Sequence, residues 1–355
     1  CSSHRLAGLL RRRLRNMEPI PAIWRIDVEP DEHEVRPASN PPPWSGFVAL
    51  AALVERLRPR LADVSGAVVH PAWFLRLDPI IERCFGRAHF VVDRYPDLMD
   101  QLRAYGDPMG IHVHFHRWDE RRQVTYSDHA DRDWIAYCVN VAAKTFKRCF
   151  GEPVRRSSQG GYFLDEAVVD RVLAADIEVD VTPEPGLAPS SDDPSFGAYA
   201  TAPSPDFRDF PRRPYFPSRD ALGVPARSSG DARPLLIVPL TAYDYQTALT
   251  PWPRRLAKRV LRRPRQHLPL NPWKVWPHPR TYWDLVARAA DEGPARYIAF
   301  AMRTDNPTSN GYRRAQELFE YLPSHPIARR LRFVDPLSPE IRALAKGGNA
   351  PPAGM

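Results

Sequence analysis

Residues 22–30 read AIWRIDVEP, and this stretch decides the fold. Its apolar and charged side chains alternate with a period of two, the pattern of a β-strand that has one apolar and one polar face. A carboxylate pair at the end of such a strand also places two acidic groups on one side of the sheet. The period predicts an apolar face of Trp24, Ile26 and Val28 and an opposite face of Arg25, Asp27 and Glu29.

Strand and helix patterns alternate along the rest of the chain. Residues 46–61 have apolar side chains at helical spacing, and strand-like runs occur at residues 110–118, 235–241 and 296–305. Alternation of this kind predicts an α/β fold with a parallel sheet. With about seven strand candidates, we predict a single distorted, incomplete (β/α)7 barrel with long Pro-rich loops.

The predicted domain has extensions and two insertions. Residues 1–19 form a basic N-terminal arm and residues 20–340 the barrel, which 183–233 and 250–279 interrupt as loops. Residues 341–355 are predicted to be a disordered tail. Loops at the strand ends of an α/β scaffold usually build its site, so both insertions are candidates to shape one.

Composition limits the partners. A net charge of +8 favours anionic partners, yet no zinc-finger, helix-turn-helix or RNA-binding pattern occurs, so nucleic acid is not expected. The four cysteines form no CxxC pair. The first residues do not resemble a signal peptide. The longest apolar run, residues 47–54, is much shorter than the roughly 18 residues needed to span a bilayer. We expect a cytoplasmic protein. The alternative is a protein that contacts an anionic membrane peripherally through residues 250–279. The oligomeric state is not predicted.

Residues 110–119, GIHVHFHRWD, place His112, His114 and His116 at alternate positions. On one continuous strand these imidazoles share a face, as Asp27 and Glu29 do on theirs. Imidazole and carboxylate groups on neighbouring strands are donors that suit zinc, cobalt, nickel or manganese. The sequence therefore indicates a metal site; the alternative is a polar strand face that binds no metal.

A metal site of this composition predicts hydrolysis. A metal-bound water attacks a carbonyl carbon while a free carboxylate takes its proton, which suits an amide or an ester. GxSxG, P-loop and dinucleotide-binding motifs are absent from the sequence.

An ordered set of motifs resembles the polysaccharide deacetylase superfamily, metal-dependent carbohydrate esterases with a distorted (β/α)7 barrel. The motifs are RIDVEPD at 25–31, GIHVHFHRW at 110–118, residues 150–186, and YIAFAMRTDN at 297–306. The C-terminal part is similar to a bacterial subgroup often linked to surface-polysaccharide biosynthesis. The resemblance, of the nodulation-type deacetylase kind, spans roughly residues 20 to 338.

The resemblance implies roles for individual residues. Asp27 matches the catalytic base, and Glu29, His114 and His116 match the ligands of a divalent metal, with zinc expected before cobalt, nickel or manganese. His112 stands where a glycine is common, as an accessory ligand or a bystander. A carbohydrate substrate is implied, and aromatic rings that stack on sugars, with an arginine that binds anionic groups, would line its groove. Those candidates are Trp118, Arg219, Trp273 and Trp276, with Asp31, Arg303 and Asp305 as accessory residues.

Two departures from the family pattern leave catalysis open. Ser158 stands where the family has an arginine that pairs with the catalytic aspartate. Arg303 and Asp305 occupy the motif that usually supplies a histidine as general acid. The chain is therefore either an active or altered deacetylase, or a non-catalytic protein on the same barrel that binds a glycan or a lipid carrier.

Overall fold

A curled, parallel sheet forms the centre of the molecule. Its strands follow the order β11-β1-β2-β3-β6-β7-β8, and β12 pairs in parallel with the beginning of β1. These strands are β1 (Ile20–Val28), β2 (Ala72–Arg76), β3 (Met109–Val113), β6 (Arg156–Gln159), β7 (Val179–Asp180), β8 (Leu236–Ile237), β11 (Ile298–Arg303) and β12 (Leu331–Phe333). The computed structural model describes residues 18–32, 35–37, 41–193, 196–245, 267–273 and 278–346.

The sheet curls into an incomplete barrel, which confirms the predicted fold class. The gap lies between β8 and β11, where Thr241 bridges the two edges: its amide donates to the Ala299 carbonyl at 2.8 Å, and its Oγ1 accepts from the Ala299 amide at 2.8 Å. Two short antiparallel pairs lie outside this sheet. They are β4 (His116–Asp119) with β5 (Val124–Ser127), and β9 (Ala242–Tyr243) with β10 (Leu268–Pro269).

Except for the C-terminal one, the described helices pack on the outer face of the sheet. The helices are α1 (Ser45–Ser65), α2 (Pro79–Phe85), α3 (Phe90–Arg94), α4 (Pro96–Ala104), α5 (Arg132–Phe150), α6 (Glu166–Ala174), α7 (Pro279–Glu292), α8 (Asn310–Tyr321) and α9 (Pro339–Lys346). Asp131 and Asp165 cap the N-termini of α5 and α6 by accepting backbone hydrogen bonds, and Gly151 ends α5 with a left-handed φ of 76°.

β1 has the two faces that its sequence predicts. Trp24 belongs to the outer core beneath the helices and stacks on Phe319 with ring centroids 4.3 Å apart. Ile23 faces the opposite way, into the smaller core inside the barrel. Further along the same inner face, Asp27 and Glu29 are buried where the barrel opens.

Residues 110–118 do not form the single strand that the alternation predicts. β3 ends at Val113, and the chain leaves the sheet at His114 and Phe115 before His116 begins the β4–β5 hairpin. His116 pairs antiparallel with Ser127, whereas His112 pairs in parallel with Ser158 of β6. The period of two is broken at the turn, so the three histidines do not continue along one strand face.

The C-terminal boundary also differs from the prediction. Residues 341–346, assigned to a disordered tail, belong to α9, whose Ile341 is buried in the inner core. Ile341, Leu344 and Ala345 lie at helical spacing and pack against this core, so residues 341–346 form a helix. Residues 1–17, 246–266, 274–277 and 347–355 lie outside the described ranges. Within those ranges, no helix combines the length and apolar character that crossing a bilayer requires.

Candidate active site

The carboxyl ends of β1, β3, β6 and β11 meet around one buried group of polar side chains. Asp27 and Glu29 come from the end of β1, and His112 and His114 from the end of β3. Parallel strands bring their carboxyl ends to the same edge, so residues far apart in sequence converge there. All four side chains are buried and line one cavity.

Glu29, His112 and His114 form a candidate metal centre. One donor atom from each lies within 4.8 Å of the other two. The Nε2 atoms of His112 and His114 are 3.0 Å apart, and His114 Nε2 is 3.1 Å from Glu29 Oε2. Glu29 Oε1 is buried and has no hydrogen bond. Two imidazoles and a carboxylate within a few ångströms of one another are a donor set that fits a divalent ion of the zinc type.

His116 takes a different position from the one the family pattern implies. It lies behind His114, with its Nε2 3.3 Å from His114 Nδ1. Its other nitrogen, Nδ1, faces Arg76 Nη2 at 3.0 Å. The structure therefore groups His112, and not His116, with Glu29 and His114, because the turn after Val113 carries His116 away from the inner face.

Asp27 is held by an arginine that the sequence analysis did not identify. Arg25 Nε lies 2.9 Å from Asp27 Oδ1 and Arg25 Nη2 lies 2.6 Å from Asp27 Oδ2. Ser158, in the position of the family arginine, donates its hydroxyl to Asp27 Oδ1 at 3.1 Å. The period of two already placed Arg25 on the face of Asp27, and that signal could have found the pair.

Burial and neighbouring charge act against each other on the acids. Burial alone would raise the pKa of Asp27, but the positive charge of Arg25 brings that pKa below its usual value. Burial would likewise raise the pKa of Glu29, which the positive charge of Arg303 holds well below its usual range. Both carboxylates are therefore ionised at neutral pH.

The pKa of the His114 imidazole is also lowered, but here burial and a neighbouring positive charge act in the same direction. Burial, followed by the positive charge of Arg76, lowers the pKa of His114 well below its usual value. His114 is accordingly neutral at pH 7, which is the form that binds a metal.

Arg76 of β2 is fully buried and contacts the candidate site. Its Nη1 lies 3.2 Å from Glu29 Oε2, and its Nε donates to Asp78 at 3.1 Å. Asp78 Oδ2 in turn accepts the backbone amide of His114 at 3.0 Å. Arg76 therefore connects β2 to both candidate ligand strands. Because it stands alone among apolar neighbours in AWFLR, the sequence analysis did not select it.

A glycine turn after β6 forms one wall of the site. A Cβ on Gly160 would lie 2.2 Å from His114 Cδ2, so only glycine leaves room for that ring. Gly161 and Tyr162 follow with φ values of 61° and 54°. The left-handed φ of a tyrosine is uncommon, and such conformations concentrate at functional sites.

The accessory candidates have separate positions. Arg303 lines the cavity, with its Nε 3.3 Å from Glu29 Oε1, and Asp305 binds the same guanidinium at 2.9 and 3.0 Å. Asp31 accepts hydrogen bonds from Ser45 and from the Gly46 amide at the start of α1. Asp31 therefore caps a helix.

The cavity over these groups is small, about 30 Å³, which is on the order of one water molecule. Asn271 and Trp273 form part of its wall. Trp118 instead donates its indole N–H to Glu120 at 3.0 Å, and Arg219 is exposed. Neither of these last two lines the cavity, and Trp276 lies outside the described residues.

Comparison with known proteins supports the fold. No protein-family model and no curated protein sequence matches the chain. Among solved structures, a candidate glycoside hydrolase/deacetylase from Parabacteroides distasonis is similar over 90% of this chain and 70% of its own, with a TM-score of 0.54 and 12% identity. A candidate polysaccharide deacetylase from Mycobacterium smegmatis is similar over 92% of this chain and 91% of its own, with a TM-score of 0.44 and 12% identity. The first similarity shows a shared fold.

Proposed function

We propose that the protein is a metal-dependent hydrolase that removes an N- or O-acyl group from a carbohydrate. The observation that carries this proposal is the cluster of Glu29, His112 and His114 beside Asp27, a second carboxylate that is not needed as a ligand. The fold shared with a candidate glycoside hydrolase/deacetylase supports a sugar derivative as the substrate.

In the proposed reaction, Glu29, His112 and His114 hold the divalent ion, with zinc expected first. When bound, the ion supplies an acidified water and polarises the acyl carbonyl. Asp27 takes the proton of the attacking water, because its carboxylate is ionised and adjoins the cluster. Arg25 keeps that carboxylate in one orientation through its hydrogen bonds to both oxygens.

Two further residues support catalysis. Arg303 carries a permanent positive charge on the cavity wall, where it would stabilise the negative charge that develops on the carbonyl oxygen. Arg25 supplies the guanidinium that the family pattern places at Ser158, so the first departure from that pattern is compensated by another strand. The second departure stays open, since the described cavity wall contains no histidine besides His112 and His114.

The small cavity favours a second candidate, a non-catalytic protein that binds a glycan or a lipid carrier on the same barrel. A space of about 30 Å³ does not admit a sugar ring without movement of its wall. Binding would then occur outside the cavity, and residues 250–279 could bring it to an anionic membrane. Flotation with anionic vesicles at low salt tests this candidate, which predicts co-flotation that added salt reverses.

Metal content of the purified protein is the decisive measurement. We expect near-stoichiometric zinc, cobalt, nickel or manganese after reconstitution of the wild type, and its loss in Glu29→Ala and His114→Ala. His89→Ala removes a histidine that pairs with Asp93 and does not line the cavity, and it serves as the control that retains the metal. Absence of metal from the reconstituted wild type would contradict the proposed hydrolase and favour the binding protein. A screen of N- and O-acetylated sugars then tests turnover.

A further inference from the structure

One side of the cavity wall is not built on the large sheet. Most of the lining residues lie on the carboxyl ends of its strands or in the segments that follow them. Asn271 and Trp273 instead follow β10, which pairs with β9 outside the large sheet. By contrast, the turn at Gly160 is packed directly against the ring of His114. The segment of Asn271 and Trp273 is therefore the part of the wall that the barrel strands do not carry.

This segment is anchored at Leu270, which is buried. The Leu270 amide donates to the Thr241 carbonyl at 2.9 Å, and the Leu270 carbonyl accepts from the Tyr282 hydroxyl at 3.2 Å. Beyond this point, the Trp273 amide donates to Asn271 Oδ1 at 2.9 Å, which is a bond inside the segment. Leu270 is therefore the place about which Trp273 would pivot if it moved.

The Trp273 side chain rests on the start of α8. Its ring centroid lies 5.7 Å from that of Tyr312, with an interplanar angle of 50°. Its Cε3 atom would lie 3.5 Å from a Cβ at Gly311, so this edge of the indole faces the helix. The N–H of an indole is on the edge opposite Cε3 and therefore points away from α8. The contacts with α8 are van der Waals packing, so the ring can leave them without the loss of an indole hydrogen bond.

The indole N–H of Trp273 is buried and has no hydrogen-bond partner within the described part of the chain. Trp24 and Trp44 also have unpartnered indole nitrogens, but those two rings lie in the apolar outer core. Trp273 instead borders a cavity that is lined by charged groups. Because a buried donor without an acceptor raises the free energy of an arrangement, the closed position of Trp273 is more favourable when an oxygen atom of a ligand accepts this N–H.

We propose that Trp273 is a cap on the candidate site. It swings away about Leu270 to admit an acylated sugar, and it closes by donating its indole N–H to an oxygen atom of that sugar or of its acyl group. The identity of the ligand rests on the proposed function, whereas the movement does not. A space for about one water molecule admits a sugar ring only if part of the wall moves away. Closure then keeps bulk water from the reacting carbonyl.

The movement is tested by thiol labelling of the full-length, metal-free protein. Ala301 of β11 lines the cavity, so Ala301→Cys places a thiol behind the cap. Iodoacetamide reaches this thiol only while the cap is open, so the alkylation rate is proportional to the open fraction. For an open fraction of about 10% or less, adding Trp273→Ala should raise the rate at least about tenfold. Peptide mass mapping separates position 301 from the natural cysteines.

Trp118→Ala is the matched control for labelling, because the Trp118 indole does not line the cavity. It should leave the alkylation rate at position 301 unchanged. Equal rates with and without Trp273→Ala would overturn the cap. Alkylation of the buried Cys138 would reveal a variant that has unfolded, and Trp273→Phe, which keeps a ring beside Tyr312, then takes its place.

The hydrogen bond is tested by the kinetics of Trp273→Phe on the acetylated sugar that the screen selects. Phenylalanine keeps an aromatic ring but has no N–H. We expect KM to rise on the order of tenfold, the effect of one lost hydrogen bond, with kcat changed less. Trp118→Phe should keep the KM of the wild type, and an unchanged KM in Trp273→Phe would overturn the hydrogen bond. If the wild type hydrolyses no acetylated sugar, the proposed function and the hydrogen bond fail together, while thiol labelling still decides the cap.

Discussion

At the scale of single residues, the pair of Arg25 and Asp27 shows how one strand can supply its own partner for a buried carboxylate. Side chains two positions apart on a strand share a face, so a guanidinium and a carboxylate of β1 can meet without any partner strand. Ser158 adds a hydroxyl from β6 to the same carboxylate. Together, Arg25 and Ser158 hydrogen-bond to both oxygens of the Asp27 carboxylate.

Replacing Arg25 should change the pH dependence of turnover. In Arg25→Gln the guanidinium that lowers the pKa of Asp27 is lost while burial, which raises it, remains. We expect the acidic limb of the kcat/KM profile to move to higher pH and turnover to fall at least about tenfold. Arg156→Gln, which removes a half-buried arginine paired with Asp335 on the same sheet, is the control. An unmoved limb would mean that Asp27 is not the base.

Replacing Asp27 separates the base from the ligands. Asp27→Asn keeps the size of the side chain but removes the charge that accepts the proton. We expect the metal content of this variant to equal that of the wild type and its deacetylation of acylated sugars to be abolished. Metal loss instead would show that the roles of Asp27 and Glu29 are exchanged.

At the scale of elements, the turn after β6 determines where His114 can lie. The chain from Gly160 to Tyr162 bends back on itself with two consecutive left-handed residues, and the ring of His114 fills the space that a side chain at Gly160 would take. The end of β3 and the turn after β6 are therefore fitted to each other, although 46 positions separate His114 from Gly160 in sequence.

A methyl group at that turn should displace the histidine. In Gly160→Ala the new Cβ would overlap His114, so we expect loss of metal affinity and a fall of about 1–3 kcal/mol in the free energy of unfolding. Gly230→Ala is the matched control, because the nearest neighbouring atom of its Cβ would lie 4.0 Å away. Chemical denaturation and metal titration measure both variants. Equal metal affinity in the two would contradict the close packing.

At the scale of the whole molecule, we expect buried histidines to make the fold sensitive to acid. His129 follows the β4–β5 hairpin, stacks on Phe163 at 3.9 Å between centroids and bonds through Nδ1 to the Ala202 carbonyl at 3.0 Å. It therefore joins the hairpin, the segment before α6 and the loop after residue 183. Burial lowers the pKa of His129 to about 4.

Stability should consequently fall as the pH drops through this range. Between the unfolded pKa of about 6.5 and the folded value of about 4, the unfolded chain binds more protons at His129, so the free energy of unfolding decreases as pH falls. The loss approaches about 3 kcal/mol at pH 4, and His114, whose pKa is also lowered, adds to it. Urea unfolding across this range measures the slope, which should be smaller in His129→Gln. An unchanged slope would assign the acid sensitivity to other groups.

The sequence by itself determined the fold class and was enough to select half of the residues of the candidate site. Alternation in residues 22–30 is local, so it was enough to assign the two faces of β1 and to select Asp27 and Glu29. The order of the motifs and the number of strand-like runs were likewise sufficient to predict an incomplete parallel barrel. The density of histidine in residues 110–116 was sufficient to locate the second wall of the site.

Only the tertiary structure decided which histidines meet Glu29 and what surrounds Asp27. The chain leaves the sheet after Val113 because the next strand, β4, pairs with β5 instead. The alternating pattern of side chains in residues 110–118 does not reveal this change of pairing partner. Arg76 lies at the end of β2 and Gly160 in the turn after β6, and the order of these strands in the sheet is not written in any single segment. Their roles depend on distances between elements, because hydrogen bonds and close packing act over only a few ångströms whatever the separation in sequence.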